Sequence, residues 1–114
     1  MYTELKLNQI TKEVTQSTQS IIGDKLRKII LYGSYARGDY SSDSDVDIMV
    51  LADIFNGEIS SFQKALNKIA SNVSLVNDIT VSILLIDMLF FDTHTDSLPF
   101  YRNVLSDGVE IYAA

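Results

Sequence analysis

Residues 31–51, LYGSYARGDYSSDSDVDIMVL, decide how this chain is read. The apolar pair Leu31-Tyr32 runs into Gly33-Ser34, and after ten intervening residues Asp45 and Asp47 lead the apolar run Ile48 to Leu51. On a strand, residues two apart point to the same face, about 6.5–7 Å apart along the chain. Asp45 and Asp47 therefore project together. Two uncompensated carboxylates held close together repel, and one must take up a proton unless something positive sits there. Mg2+ is such a group, a hard ion that takes oxygen ligands and keeps waters and substrate phosphates in its shell. Two such ions roughly 3.5–4 Å apart can stabilise the attacking and leaving oxygens of a phosphoryl displacement. Gly33-Ser34 fits the same chemistry. Glycine lets the backbone approach a phosphate and accept a positive φ. A serine hydroxyl and the following N–H groups can then hold phosphate oxygens.

Outward from this stretch, Lys28 to Tyr32 (KIILY) reads as a short buried strand. Asp47 to Leu51 begins a second strand, apolar on both faces and therefore central. Tyr35 to Ser44 form a loop, or a short helix with a loop. Upstream, Thr3 to Ile22 carries a helical stripe of Leu5, Ile10, Val14 and Ile21, with Gly23 as its stop. Downstream, Ser60 to Ala70 has helical spacing (Phe62, Leu66, Ile69), with Ser60 or Ser61 as N-cap. Ile79 to Ile86 is a third strand rich in β-branched residues. Leu98 to Leu105 is a short helix with Pro99 in its first turn and Asp107-Gly108 at its end. Val109 to Tyr112 closes as an edge strand. The order α-β-β-α-β-α-β predicts an α/β fold, a small sheet covered by helices on one side.

The chain has 114 residues, 46% of them hydrophobic, so one domain spanning residues 1–114 with a real core is expected. With no cysteine, neither disulfides nor thiolate metal sites are available, which fits a reducing compartment. The N-terminus lacks the basic-then-apolar pattern of a secretory signal, and no apolar run approaches the ~18 residues that span a bilayer. A soluble, cytoplasmic protein is the expectation, with no membrane association. The net charge of −6 argues against an extended nucleic-acid footprint. One nucleotide held through divalent cations remains compatible with it.

Gly33-Ser34, ten residues and then Asp45-x-Asp47 resembles the signature of the nucleotidyltransferase superfamily that includes the DNA polymerase beta palm and kanamycin nucleotidyltransferase. More narrowly, GSYARGDYSSDSDVDIMV resembles the minimal nucleotidyltransferases called MNT domains, and the closing PFYRNVLSDGVEIY looks like the end of small bacterial members. The resemblance implies a mixed sheet flanked by helices, as in the polymerase beta palm. It implies Mg2+-dependent transfer of AMP from ATP to an acceptor hydroxyl, with release of pyrophosphate. By the same carry-over Gly33, Ser34 and Arg37 bind the nucleotide, Asp45 and Asp47 hold two Mg2+ ions, and a third acid on a later strand completes the catalytic metal site. Asp78, at the entry to ITVSILLI, is the best match for that acid, ahead of Asp53 and Asp87, although Asn77-Asp78 also reads as an ordinary turn before a strand. The implied partner is a HEPN-type toxin, silenced in a hetero-oligomer by AMP transfer to a tyrosine. That makes the chain an antitoxin. The alternatives are a binding module that masks its partner stoichiometrically, and transfer to a small molecule such as an aminoglycoside.

Some residues have plainer readings. Arg37 can contact phosphate or acceptor, or pair with Asp39 or Asp43. His94, between Asp92 and Asp96, is read as a solvated loop residue rather than a metal ligand. Phe90, Phe91, Phe100 and Tyr101 cluster in sequence and can dock a partner, but at their spacing core packing is the more frequent reading.

Overall fold

The computed structural model describes residues 2–114, with side chains from Glu4 onward. Helix α1 (Tyr2–Ile22) leads through a short 3-10 turn (Gly23–Lys25) into strand β1 (Leu26–Tyr32). Helix α2 (Ser34–Arg37), strand β2 (Val46–Ala52) and helix α3 (Asn56–Asn77) follow. Strand β3 (Val81–Asp87), helices α4 (Met88–His94) and α5 (Pro99–Asp107) and strand β4 (Val109–Ala113) complete the chain. The sheet order is β3-β2-β1-β4. β1 runs antiparallel to both β2 and β4, and β2 runs parallel to β3. The expected mixed α/β sheet is present.

β2 is central and buried on both faces. Val46, Ile48, Val50 and Ala52 pack with Ile10 and Val14 of α1 and Leu66, Ala70 and Val73 of α3. Met49 and Leu51 face the other way, onto Phe91 of α4 and Tyr101 and Val104 of α5. Helices thus cover both faces, where the sequence reading placed them on one. A parallel β2–β3 pair needs a crossover of a dozen or more residues, and the 22-residue α3 supplies it on the first face. The chain then leaves β3 at one edge and returns as β4 at the other, laying α4 and α5 over the second face.

Several local boundaries depart from the sequence reading. α3 begins at Asn56 rather than at Ser60, because Glu58 reaches back to accept from the Phe55 N–H at 3.2 Å and pairs with Lys25 Nζ at 2.7 Å. It runs on to Asn77, whose buried side-chain amide donates to Val73 O. α4 was not anticipated at all. Asp87 caps it, accepting from the Phe90 N–H at 3.1 Å and from the Ile54 N–H at 3.3 Å. His94 closes it, with Nδ1 2.8 Å from Phe90 O and its ring stacked on Phe90. Phe91 and Tyr101 are core, but Phe90 and Phe100 are each 45% exposed. In α1 the buried stripe is Ile10, Val14, Thr18 and Ile22, whereas Leu5 is exposed. Gly23 ends that helix with φ +69°, as expected of a glycine stop.

The outer edge of β3 is sealed from α3. Gln63 Nε2 donates to Ile83 O and Gln63 Oε1 accepts from the Leu85 N–H, both at 2.9 Å, while Ser74 Oγ accepts from the Val81 N–H at 2.8 Å. An edge strand otherwise offers these groups to another chain.

Candidate active site

The site forms where β1 ends and β2 begins. Tyr32 and Asp47 are cross-strand partners in the antiparallel pair, so the residue that follows Tyr32 must turn away beside the Asp47 carboxylate. That residue is Gly33, with φ +77° and ψ −157°, a conformation open in practice to glycine alone. A Cβ at this position would stand 2.5 Å from Asp47 Oδ2. Glycine is therefore needed twice, for the backbone angle and for the close approach. Gly33 O accepts from the Ala36 and Arg37 N–H groups, both at 3.1 Å, which starts α2. The N–H groups of Ser34 and Tyr35 lie at the helix start, where no intrahelical acceptor exists. Gly38, φ +85°, ends α2 after a single turn.

Asp47 is half-buried and Asp45 exposed. Burial pushes the Asp47 carboxyl above its ordinary value, the charge of Asp45 pushes it further, and Arg37 partly offsets both. Asp45, Asp47 and Arg37 thus share one electrostatic neighbourhood. Arg37 Nε also lies 3.2 Å from Asp39 Oδ2, an exposed pair worth about 0–1 kcal/mol at most. Of the two partners open in the sequence, Asp39 is the one it meets. The Tyr32 phenol is pushed up to about 12, by burial first and then by Asp47.

Two hollows flank the carboxylates. A cavity of about 200 Å3 lies against Tyr32, Gly33, Arg37, Phe100 and Asn103. A larger open groove of about 670 Å3 runs from Asp45 along Thr80, just before β3, and Ser82 within it, to Ser71 and Ser74 of α3. The structure thus brings Gly33, Arg37, Asp45 and Asp47 together, with Ser34 heading the turn between them.

It does not bring Asp78 to them. Asp78 caps the end of α3 with φ +54° and lines a separate hollow with Leu5, Lys6 and Gln9. Its place at the entry to ITVSILLI does not carry it to the site, because Asp78 is left-handed and the strand starts only at Val81. Asp53 pairs with Arg27, and Asp87 is occupied as a cap. Among the described residues no group of three His, Cys, Asp or Glu side chains comes together. The Asp47 carboxyl, pushed up in part by the charge of Asp45, still suits one hard divalent cation, whose charge relieves that repulsion.

Tyr32 was missed as a neighbour of the site, because only the β1–β2 register shows it beside Asp47. Register likewise shows what spacing alone does not: in the parallel β2–β3 pair Ser82 stands directly beside Asp47.

The model of the nucleotidyltransferase domain family matches residues 8–108. A candidate protein adenylyltransferase of Methanocaldococcus jannaschii is 36% identical over 107 residues, covering 94% of this chain and 100% of the relative. A candidate nucleotidyltransferase from Sulfolobus solfataricus has the same fold, with TM-score 0.64 and 19% identity over 96% of this chain and 85% of that one. So does a chain from the complex of tri-AMPylated Shewanella oneidensis HEPN toxin with MNT antitoxin, with TM-score 0.54 and 22% identity over 97% of this chain and 72% of that one. No helix among the described residues is long and apolar enough to cross a membrane. A glycine-serine turn folded against paired aspartates, in a chain that matches the family model along most of its length, makes this protein a member of the nucleotidyltransferase domain family and an enzyme of that class.

Proposed function

We propose that this enzyme transfers AMP from ATP to a tyrosine hydroxyl of a partner protein, a HEPN-type toxin, and so acts as its antitoxin in a hetero-oligomer. The acceptor oxygen attacks the α-phosphorus, the bond to the β-phosphate oxygen breaks, the hydroxyl proton is lost to solvent or a base, and pyrophosphate leaves. The observation that carries the reading is the contact of Gly33 with Asp47, which sets a phosphate-binding turn against the carboxylates. Ser34 and the first N–H groups of α2 bind the triphosphate oxygens, and Arg37 adds positive charge beside them. Asp45 and Asp47 hold Mg2+. The ion, when bound, neutralises charge on the reacting phosphate oxygens. The chain's own contribution is to hold the α-phosphate in line with the acceptor, the main protein lever in phosphoryl transfer.

A protein acceptor is favoured by the name of the Methanocaldococcus relative, aligned over its whole length. A toxin acceptor is favoured by the fold shared with the chain from the AMPylated toxin complex. The test is transfer of α-phosphate label from ATP in Mg2+ to the protein encoded beside this one, mapped by mass spectrometry, with Asp45→Asn as control. Label on a partner tyrosine, absent in the control, is the expected result. A stable complex that never takes label refutes AMP transfer and leaves masking as the mode of neutralisation.

A further inference from the structure

Nucleotide chemistry with two metal ions needs ligands enough for both, and the structure limits what this chain provides. Asp47 lies at the start of β2, and Asp45 is the residue just before the strand. The next strand, β3, runs parallel to β2 with Asp47 in register with Ser82. Aligned residues of neighbouring strands point to the same face. Asp47 shares its face with Met49 and Leu51, and Ser82 shares its face with Leu84 and Ile86, all four packed in the same cluster. Position 82 therefore stands one strand spacing, roughly 4.8 Å, from Asp47. It is exposed and lines the same groove as Asp45. No other position of β3 faces the carboxylate pair so directly, and its occupant is a neutral hydroxyl.

We infer that Asp45 and Asp47 hold a single divalent cation together with the nucleotide phosphates, and that Ser82 occupies the place where a third acidic ligand would have to stand for a second ion. The charges agree with this. Two carboxylates match one doubly charged ion, and neither Asp53, Asp78 nor Asp87 is placed to add a third. This inference rests on the nucleotide reading above and refines it: Asp87, at the far end of β3, is occupied as a cap, so β3 places no carboxylate beside the pair to take up the acceptor's proton. That role passes to solvent or to the partner.

The test counts Mn2+ by its electron paramagnetic resonance signal, with protein in excess over α,β-methylene-ATP so that all nucleotide is bound. Nucleotide retention is measured separately by equilibrium dialysis. About one Mn2+ per bound nucleotide is expected in the wild type, in Ser82→Ala and in Asp78→Asn, rising to about two in Ser82→Asp. Two ions in the wild type overturn the inference. So does loss of an ion in Ser82→Ala or Asp78→Asn, and so does a count that stays at one in Ser82→Asp. Failure of the wild type to retain nucleotide at all removes the nucleotide reading itself, and the dialysis reports that outcome apart from the ion count.

Discussion

Gly33→Ala separates what the turn does for folding from what it does for the site. At φ +77° and ψ −157° an alanine is strained, at a cost of about 1–3 kcal/mol. For a chain of this size that lowers the melting temperature by roughly 4–12 °C. The new methyl also meets Asp47 Oδ2 at 2.5 Å. Because this oxygen is the end of a side chain, it swings aside at small further cost to stability. The carboxylate is nevertheless displaced, and a misplacement near 1 Å in a site of this kind costs on the order of 100-fold. Gly38→Ala is the matched control. Gly38 has φ +85°, and a Cβ there meets nothing within 4 Å, so that variant carries only the left-handed strain, about 1–2 kcal/mol. Urea denaturation should find the two variants destabilised to a similar degree. Calorimetric binding of Mg2+ and α,β-methylene-ATP should find affinity lost in Gly33→Ala and kept in Gly38→Ala. Equal binding by both variants would refute the claim that glycine at 33 exists to admit the Asp47 carboxylate.

Two further outcomes follow from the geometry. Asp47 has a folded-state pKa above its unfolded value, so its ionisation opposes folding at every pH above the unfolded pKa. Without divalent ions, Asp47→Asn should therefore raise stability at neutral pH, and the gain should vanish as pH falls below the ordinary carboxylate range. Denaturation midpoints at pH 7 and below pH 4 check the sign, and a variant less stable than wild type at pH 7 would contradict it. Gln63→Ala leaves Ile83 O and the Leu85 N–H without their partner, a loss of about 1–3 kcal/mol. It also opens the β3 edge, so concentration-dependent self-association should appear in sedimentation. An unchanged midpoint together with a monodisperse variant would count against the seal.

Much of the architecture can be read without coordinates because it is written in local patterns. The both-sided apolar run after Asp47 marks β2 as central, Pro99 and Gly108 bracket α5, and Gly23 ends α1. Other elements are set by contacts distant in sequence. α3 gains its first turn from a lysine 33 residues before Glu58, and α4 is held by Phe91 against the second face of the sheet. Thr18 is fully buried on the α1 stripe, and its hydroxyl has no hydrogen-bond partner among the described residues. Helical spacing alone favoured apolar Ile21 over Thr18.

The candidate site divides along the same line. The turn dipeptide, the spacing to the two aspartates and the need for a positive group between them are legible in the residues alone, because carboxylates two apart in extended chain project together. What stands beside them depends on how the strands pair. Strand register is a relation between segments, invisible in either one alone. It put Tyr32 across from Asp47 on one side and Ser82 on the other. It also left Asp78, three residues short of β3 and left-handed, facing a different hollow.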